Sequence, residues 1–137
     1  MIDLSEMAEY VDRSGPDGYT MLVASASKDG APNLAFKGSV MVWDKDHLAF
    51  WERAHGETLA HLTENPKIAL IYRNKEAGKA WRFWGECTLL RDGEVREGIM
   101  ARTFQPELDR DPERKGVAVL IRVDKVSGGG VTQVREG

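Results

Sequence analysis

The sequence predicts a mainly β protein: a closed or partly closed antiparallel barrel of six strands, with a few short flanking helices. Three observations carry this. Apolar runs recur at hairpin spacing from Tyr19 onward. Only one short helical segment interrupts the first five of them. Most connections are too short for the crossovers that a parallel sheet requires.

Each element has its own signal. Leu4, Met7, Ala8 and Val11 fall on one face of a helix. Ser14-Gly15-Pro16-Asp17-Gly18 breaks it. Tyr19 to Ala26 reads as a buried strand, and Lys28-Asp29-Gly30 as a hairpin turn, because Asp-Gly tolerates positive φ. Pro32 to Trp43 is a second strand, bent at Gly38. His47 to Trp51 is a third. Thr58 to Asn65 is a short helix with Leu59 and Leu62 on one face, and Pro66 stops it. Lys67 to Tyr72 is nearly all apolar, the pattern of a strand buried on both faces. Ala80 to Leu90 is a long strand with three aromatics. Val95 to Phe104 reads as a helix and Pro106 to Lys115, dense in charge, as an exposed loop. Val117 to Val123 is the last core strand. Ser127 to Gly130 is a flexible turn, after which Val131 to Val134 can add an edge strand.

The whole chain narrows the function. Its 137 residues suit a single domain, with a core over about 4–124 and a tail over 125–137. A net charge of −3 argues against a general nucleic-acid binder. No apolar run approaches the roughly 20 residues of a membrane span. The acidic start, Met1 to Glu6, lacks the basic and apolar regions of a signal peptide. The lone Cys87 rules out an internal disulfide. A cytoplasmic protein is expected.

No strong catalytic signature is present. There is no nucleophile elbow, no phosphate loop, and no Cys or His pairing of zinc-site spacing. His47, His55 and His61 read as surface histidines, Cys87 as a small core residue, and Arg110 to Lys115 as a solvated loop. Three clusters remain. Lys37-Gly38-Ser39 places a cation and a hydroxyl around a glycine, where an anion can approach the backbone. Trp51-Glu52-Arg53 leads through a polar loop to Thr58, at a helix start whose free N–H groups suit a phosphate. Trp81 and Phe83 share one strand face, while Arg82 and Trp84 take the other. Such large aromatics serve either core packing or an interface.

Taken in order, these pieces resemble the pyridoxamine 5′-phosphate oxidase-like superfamily of FMN-binding split barrels, above all its small single-domain members. The resemblance runs from about Leu4 to Val123. It rests on Asp29-Gly30-Ala31-Pro32-Asn33, Lys37-Gly38-Ser39, Leu48-Ala49-Phe50-Trp51, Thr58 through Asn65-Pro66 to Leu70, and Phe83-Trp84-Gly85-Glu86-Cys87.

The resemblance implies a homodimer with FMN in the groove between the chains. It implies that Lys37, Ser39 and Thr58 hold the phosphate and that the ring rests against Trp51, Glu52 and Arg53. Trp81 and Arg82 would approach from the other chain. Some relatives use a deazaflavin or haem instead. One departure stands out. Glu57-Thr58 occupies the helix start where many members carry Arg or Lys, and a carboxylate there would oppose a phosphate. Either Glu57 points away and Lys37, Arg53 or His55 neutralises the phosphate, or FMN binds weakly or not at all. The tail carries no Arg–His substrate motif, so pyridoxamine phosphate oxidation itself is not expected. The expected function is flavin-dependent oxidation or reduction of an unknown small molecule. The rivals are a flavin or electron carrier without turnover, and a cofactor-free ligand-binding or interaction module.

Overall fold

A computed structural model describes residues 1–136. Eight strands form one antiparallel sheet with four short helices. The strands are β1 (Met21–Ala26), β2 (Pro32–Lys37), β3 (Met41–Asp44), β4 (His47–Glu52), β5 (Lys67–Asn74), β6 (Lys79–Leu90), β7 (Val117–Gly128) and β8 (Val131–Val134). The helices are α1 (Ala8–Val11), α2 (Glu57–Glu64), α3 (Glu94–Arg102) and α4 (Gln105–Asp109).

The strand order is β2-β1-β5-β6-β7-β4-β3, with β8 paired to β7. The sheet therefore curls without closing. Its two ends, β2 and β3, are consecutive in the chain and are joined at Gly38, Ser39 and Val40. The bend expected at Gly38 is a full break, so the second predicted strand is two strands. The expected edge strand Val131–Val134 forms as β8. These two differences turn six strands into eight.

β5 corrects a second expectation. Ile68, Leu70, Tyr72 and Asn74 are buried, but the opposite face is not, and Ile71 is 39 % exposed. The apolar run lacks a cover on one side within this chain. The segment 106–115 is also not a simple exposed loop. It begins in α4, and Leu108 and Asp111 are buried. The pattern hid this because α4 offers only one apolar residue to the interior.

The inner face of the sheet packs one core. Met21, Val23, Leu48, Phe50, Ile68, Leu70, Phe83, Val119, Ile121 and Val123 fill it. Leu4, Met7 and Val11 of the N-terminal segment seal it. Burying each such side chain contributes about 1.5–3 kcal/mol. The outer faces of β4 and β7 carry a smaller second core, in which Ala49, Trp51 and Ala118 meet Ile99 of α3 and Leu108 of α4. β4 is thus buried on both faces, which explains its run of apolar residues.

β6 spans the middle of the molecule. Its register with β7 shifts between Trp84, opposite Lys125, and Gly85, opposite Val123. Gly85 is required there, because a Cβ would overlap the Arg122 carbonyl oxygen.

Candidate functional site

A cleft of about 260 Å³ opens where β2 ends and β4 runs out toward α2. Lys37, Gly38, Ser39, Trp51, Glu52 and Arg53 line it, as do Phe36, Phe104, Glu107 and Arg110. Five of the eight residues expected at a cofactor site are thus brought together: Lys37, Ser39, Trp51, Glu52 and Arg53. The other three lie elsewhere.

The cleft is built by the ends of two strands. On β2, Asn33, Ala35 and Lys37 are half-buried, while Leu34 and Phe36 alternate to the outside. Ser39 then does the work of a strand. Its hydroxyl accepts from Trp51 N at 3.0 Å and donates to Trp51 O at 3.3 Å. The side chain so continues the β3–β4 ladder and seals the break at Gly38. The Trp51 indole points away from the cleft into the second core. There its Nε1 donates to Asp111 at 3.0 Å, and Arg96 lies 4.8 Å above the ring.

Charge is the notable content of the cleft. Glu52 is 1 % exposed and Lys37 Nζ lies 2.7 Å from its Oε1. Glu52 Oε2 accepts from Ala54 N at 3.1 Å. Oε1 touches the lysine yet has no aligned hydrogen-bond donor. The Lys37 ammonium at 2.7 Å offsets the cost of burying this carboxylate. Arg53 Nε donates to Glu107 Oε2 at 3.0 Å. The Arg110 side chain makes no hydrogen bond or ion pair among the described residues and lines the same cleft.

Thr58 sits beyond the cleft, in the first turn of α2. It is buried, and its Oγ1 accepts from Asn33 Nδ2 at 3.1 Å. Gly56 caps this helix without a side-chain bond, so the N–H groups of its first turn are left without side-chain partners. Glu57 points away. It is exposed and lies 3.1 Å from His61 one turn along the same helix. That is the orientation the first of the two outcomes requires of Glu57.

Trp81 and Arg82 separate as strand alternation requires. Trp81 is buried, with ring centroids 5.7 Å from both Tyr10 and Tyr72. Arg82 is exposed on the outer face and lies 5.4 Å from the ring of Trp84, which Lys125 approaches at 5.0 Å. A small barrel thus does hide two of the three β6 aromatics, because Tyr10 and Tyr72 complete an aromatic cluster at its end. Only Trp84 stays half-buried outside.

Sequence reasoning missed Glu107, Arg110 and Phe104. No local pattern marks them: Glu107 and Arg110 sit in a charge-dense segment that resembles any solvated loop, and Phe104 ends a segment read as an ordinary helix. Burial pushes the Cys87 thiol up to about 11, which disfavours the reactive thiolate. Asp44, Asp46 and His47 meet at the β3–β4 turn, where His47 Nδ1 lies 2.9 Å from each carboxylate and Arg135 pairs with Asp46. That cluster is a salt-bridged turn.

The sequence profile of the pyridoxamine 5′-phosphate oxidase family matches residues 8–127. The chain belongs to this family. An uncharacterized protein of Methanocaldococcus jannaschii is 30 % identical over 108 residues, spanning 77 % of this chain and 70 % of that one. A pyridoxine/pyridoxamine 5′-phosphate oxidase of Rhodopseudomonas palustris is 29 % identical, over 76 % of this chain but only 49 % of that enzyme. Among solved structures, Group A Streptococcus HupZ superposes with a TM-score of 0.71 at 21 % identity, covering 96 % and 98 % of the two chains. An FMN-binding protein of Syntrophomonas wolfei gives 0.66 at 13 %, over 94 % and 90 %. HutZ, a heme storage protein of Vibrio cholerae, gives 0.69 at 13 %, over 93 % and 95 %. An F420 reductase gives 0.60 at 17 %, over 80 % and 89 %. These likenesses establish the split-barrel fold.

Proposed function

We propose that the protein is a cytoplasmic homodimer that binds FMN beside this cleft and acts as an oxidoreductase on a small molecule. The observation that carries the reading is continuity between the cleft and an uncovered apolar sheet face. Phe36 and Thr20 line both the cleft and the adjoining groove over Tyr19, Leu22 and Ile71. Leu34 and Phe36 are 67 % and 69 % exposed, and they pair across the sheet with Ala24 and Leu22. A row of apolar side chains this wide, from β2 to Trp84 on β6, marks an interaction surface. A second copy seated on it would roof the cleft and exclude water.

The residues fit a flavin. Glu52 Oε1 has only the Lys37 ammonium beside it, and the N–H of a planar imide would add a second contact. Lys37 holds the Glu52 charge in place. Thr58 and the first-turn N–H groups of α2 offer donors to a phosphate. Bound FMN would supply the electron transfer, while these side chains bind, orient and shield it.

The test is a titration of the purified protein with FMN, followed by absorbance and fluorescence, and then by oxidation of a reduced nicotinamide with an added acceptor. Glu52→Ala should weaken FMN by about tenfold, the scale of a hydrogen bond to a charged group. Bound FMN without turnover would favour a carrier. A colourless protein that ignores FMN would leave the cofactor-free module.

A further inference from the structure

The cleft holds three cations, Lys37, Arg53 and Arg110, but only two carboxylates, Glu52 and Glu107. The two carboxylates are held differently. Glu52 is rooted on β4, buried and paired with Lys37. Glu107 arrives from α4, a helix of five residues that buries only Leu108. It reaches across Gly38, where a Cβ would stand 2.7 Å from its Oε1. The glycine therefore leaves room for this carboxylate over the chain break. Arg53 meets Glu107 through Nε alone, and its two terminal nitrogens make no hydrogen bond among the described residues. A guanidinium normally engages a carboxylate through two nitrogens when it is that anion's built partner. Arg110 lies at the same cleft with no anion of its own.

We propose that Glu107 is an internal stand-in for the anionic group of the ligand, and that a phosphate or carboxylate displaces it from Arg53 and bridges to Arg110. The inference deepens the reading above, since it names the ligand class for the same cleft: a small molecule carrying a phosphate or carboxylate. The protein's own carboxylate lowers the excess positive charge of the free cleft and sets a threshold that only an anionic ligand passes. α4 needs to move little, because the side chain of Glu107 alone bridges the gap to Arg53.

The test compares wild type, Glu107→Gln and Glu107→Gln/Arg110→Ala, as full chains at low ionic strength. Inorganic phosphate and acetate are the probes, and the arginine Nε–H resonances in proton–nitrogen spectra are the readout, with Arg53→Lys to assign the Arg53 signal. Glu107→Gln should bind one of the two anions about fivefold more tightly than wild type, the upper range of a partly exposed ion pair. The anion should restore the downfield Arg53 Nε–H shift that the substitution removes. Adding Arg110→Ala should abolish the gain. Gly38→Ala, which crowds the carboxylate off Arg53 without changing its charge, should reproduce the gain if Glu107→Gln folds poorly. Equal affinity in wild type and Glu107→Gln, or a gain indifferent to Arg110, would overturn the proposal. FMN and riboflavin titrations run beside it separate the sources. A gain for FMN but not riboflavin makes the cofactor phosphate the displacing group; a gain for free phosphate or acetate with FMN unchanged makes it the substrate. FMN binding without any anion gain rejects the stand-in and keeps the flavin reading. An anion gain without FMN binding does the reverse.

Discussion

Asp111 shows how one side chain can decide the shape of the site from outside it. Burial alone would raise its pKa, but donors from Lys115 N, Gly116 N and Trp51 Nε1, with Arg114 nearby, bring it below the ordinary 3.8. A carboxylate whose pKa is lowered on folding stabilises the native state above its unfolded value and loses that contribution as pH falls through the native one. Stability should therefore drop as pH falls below about 3.8, and Asp111→Asn should flatten that part of the profile. Asp111→Ala should cost about 3 kcal/mol at neutral pH, since three donors lose their acceptor. Urea midpoints at neutral and acid pH check both statements. Glu57 offers the opposite case. It looked placed to repel a phosphate, yet it faces His61 on its own helix. Glu57→Lys should change FMN affinity by no more than about twofold at low salt, as exposed charges do. A larger gain would put Glu57 at the ligand after all.

Among the elements, those with a strong period were legible and those built by long-range pairing were not. The β1–β2 hairpin, α2 and its Asn65-Pro66 stop follow from local chemistry, and Gly30 has the φ of +89° that its turn required. Lys37, Glu52 and Arg53 stood out because they flank strand ends. Glu107 and Arg110 did not, because their relevance depends on α4 folding back across Gly38. The uncovered face of β5 was illegible for a related reason: an apolar residue in a sequence does not say which chain covers it. Gly85 carries an element-level expectation. A methyl group there meets the backbone oxygen of Arg122, which cannot swing aside as a side chain can. Gly85→Ala should cost about 1–3 kcal/mol by overpacking. Loss of the β6–β7 register should appear in amide shifts around Trp84 and Lys125.

For the whole molecule, the outer face of β2, β1, β5 and β6 matters most. Phe36, Leu22 and Ile71 lie in one row across it, with Leu34, Ala24 and Ala69 in the next. A stable symmetric pair buries about 1,600 Å² in total, and this face would form the centre of such an interface. Ile71→Glu places a charge at the centre of that face, where this chain leaves it exposed. Light scattering should show a dimer for wild type and a monomer for Ile71→Glu, with the fold intact by circular dichroism. A wild-type monomer at micromolar concentration would remove the dimer and the roof it gives the cleft.

The division of the interior into two cores has a consequence in time. Helices α3 and α4 hold to the barrel through Ile99, Leu108 and the Trp51 indole, whereas the strands share the larger cluster. Segments with few buried contacts open at lower free energy than the core they rest on. The amides of 94–109 should therefore exchange with deuterium well before those of β5, β6 and β7, as one cooperative unit. Each such opening would carry Glu107 off Arg53, so the breathing of these two helices would add a slower route to the bare positive charge beside displacement of the side chain alone.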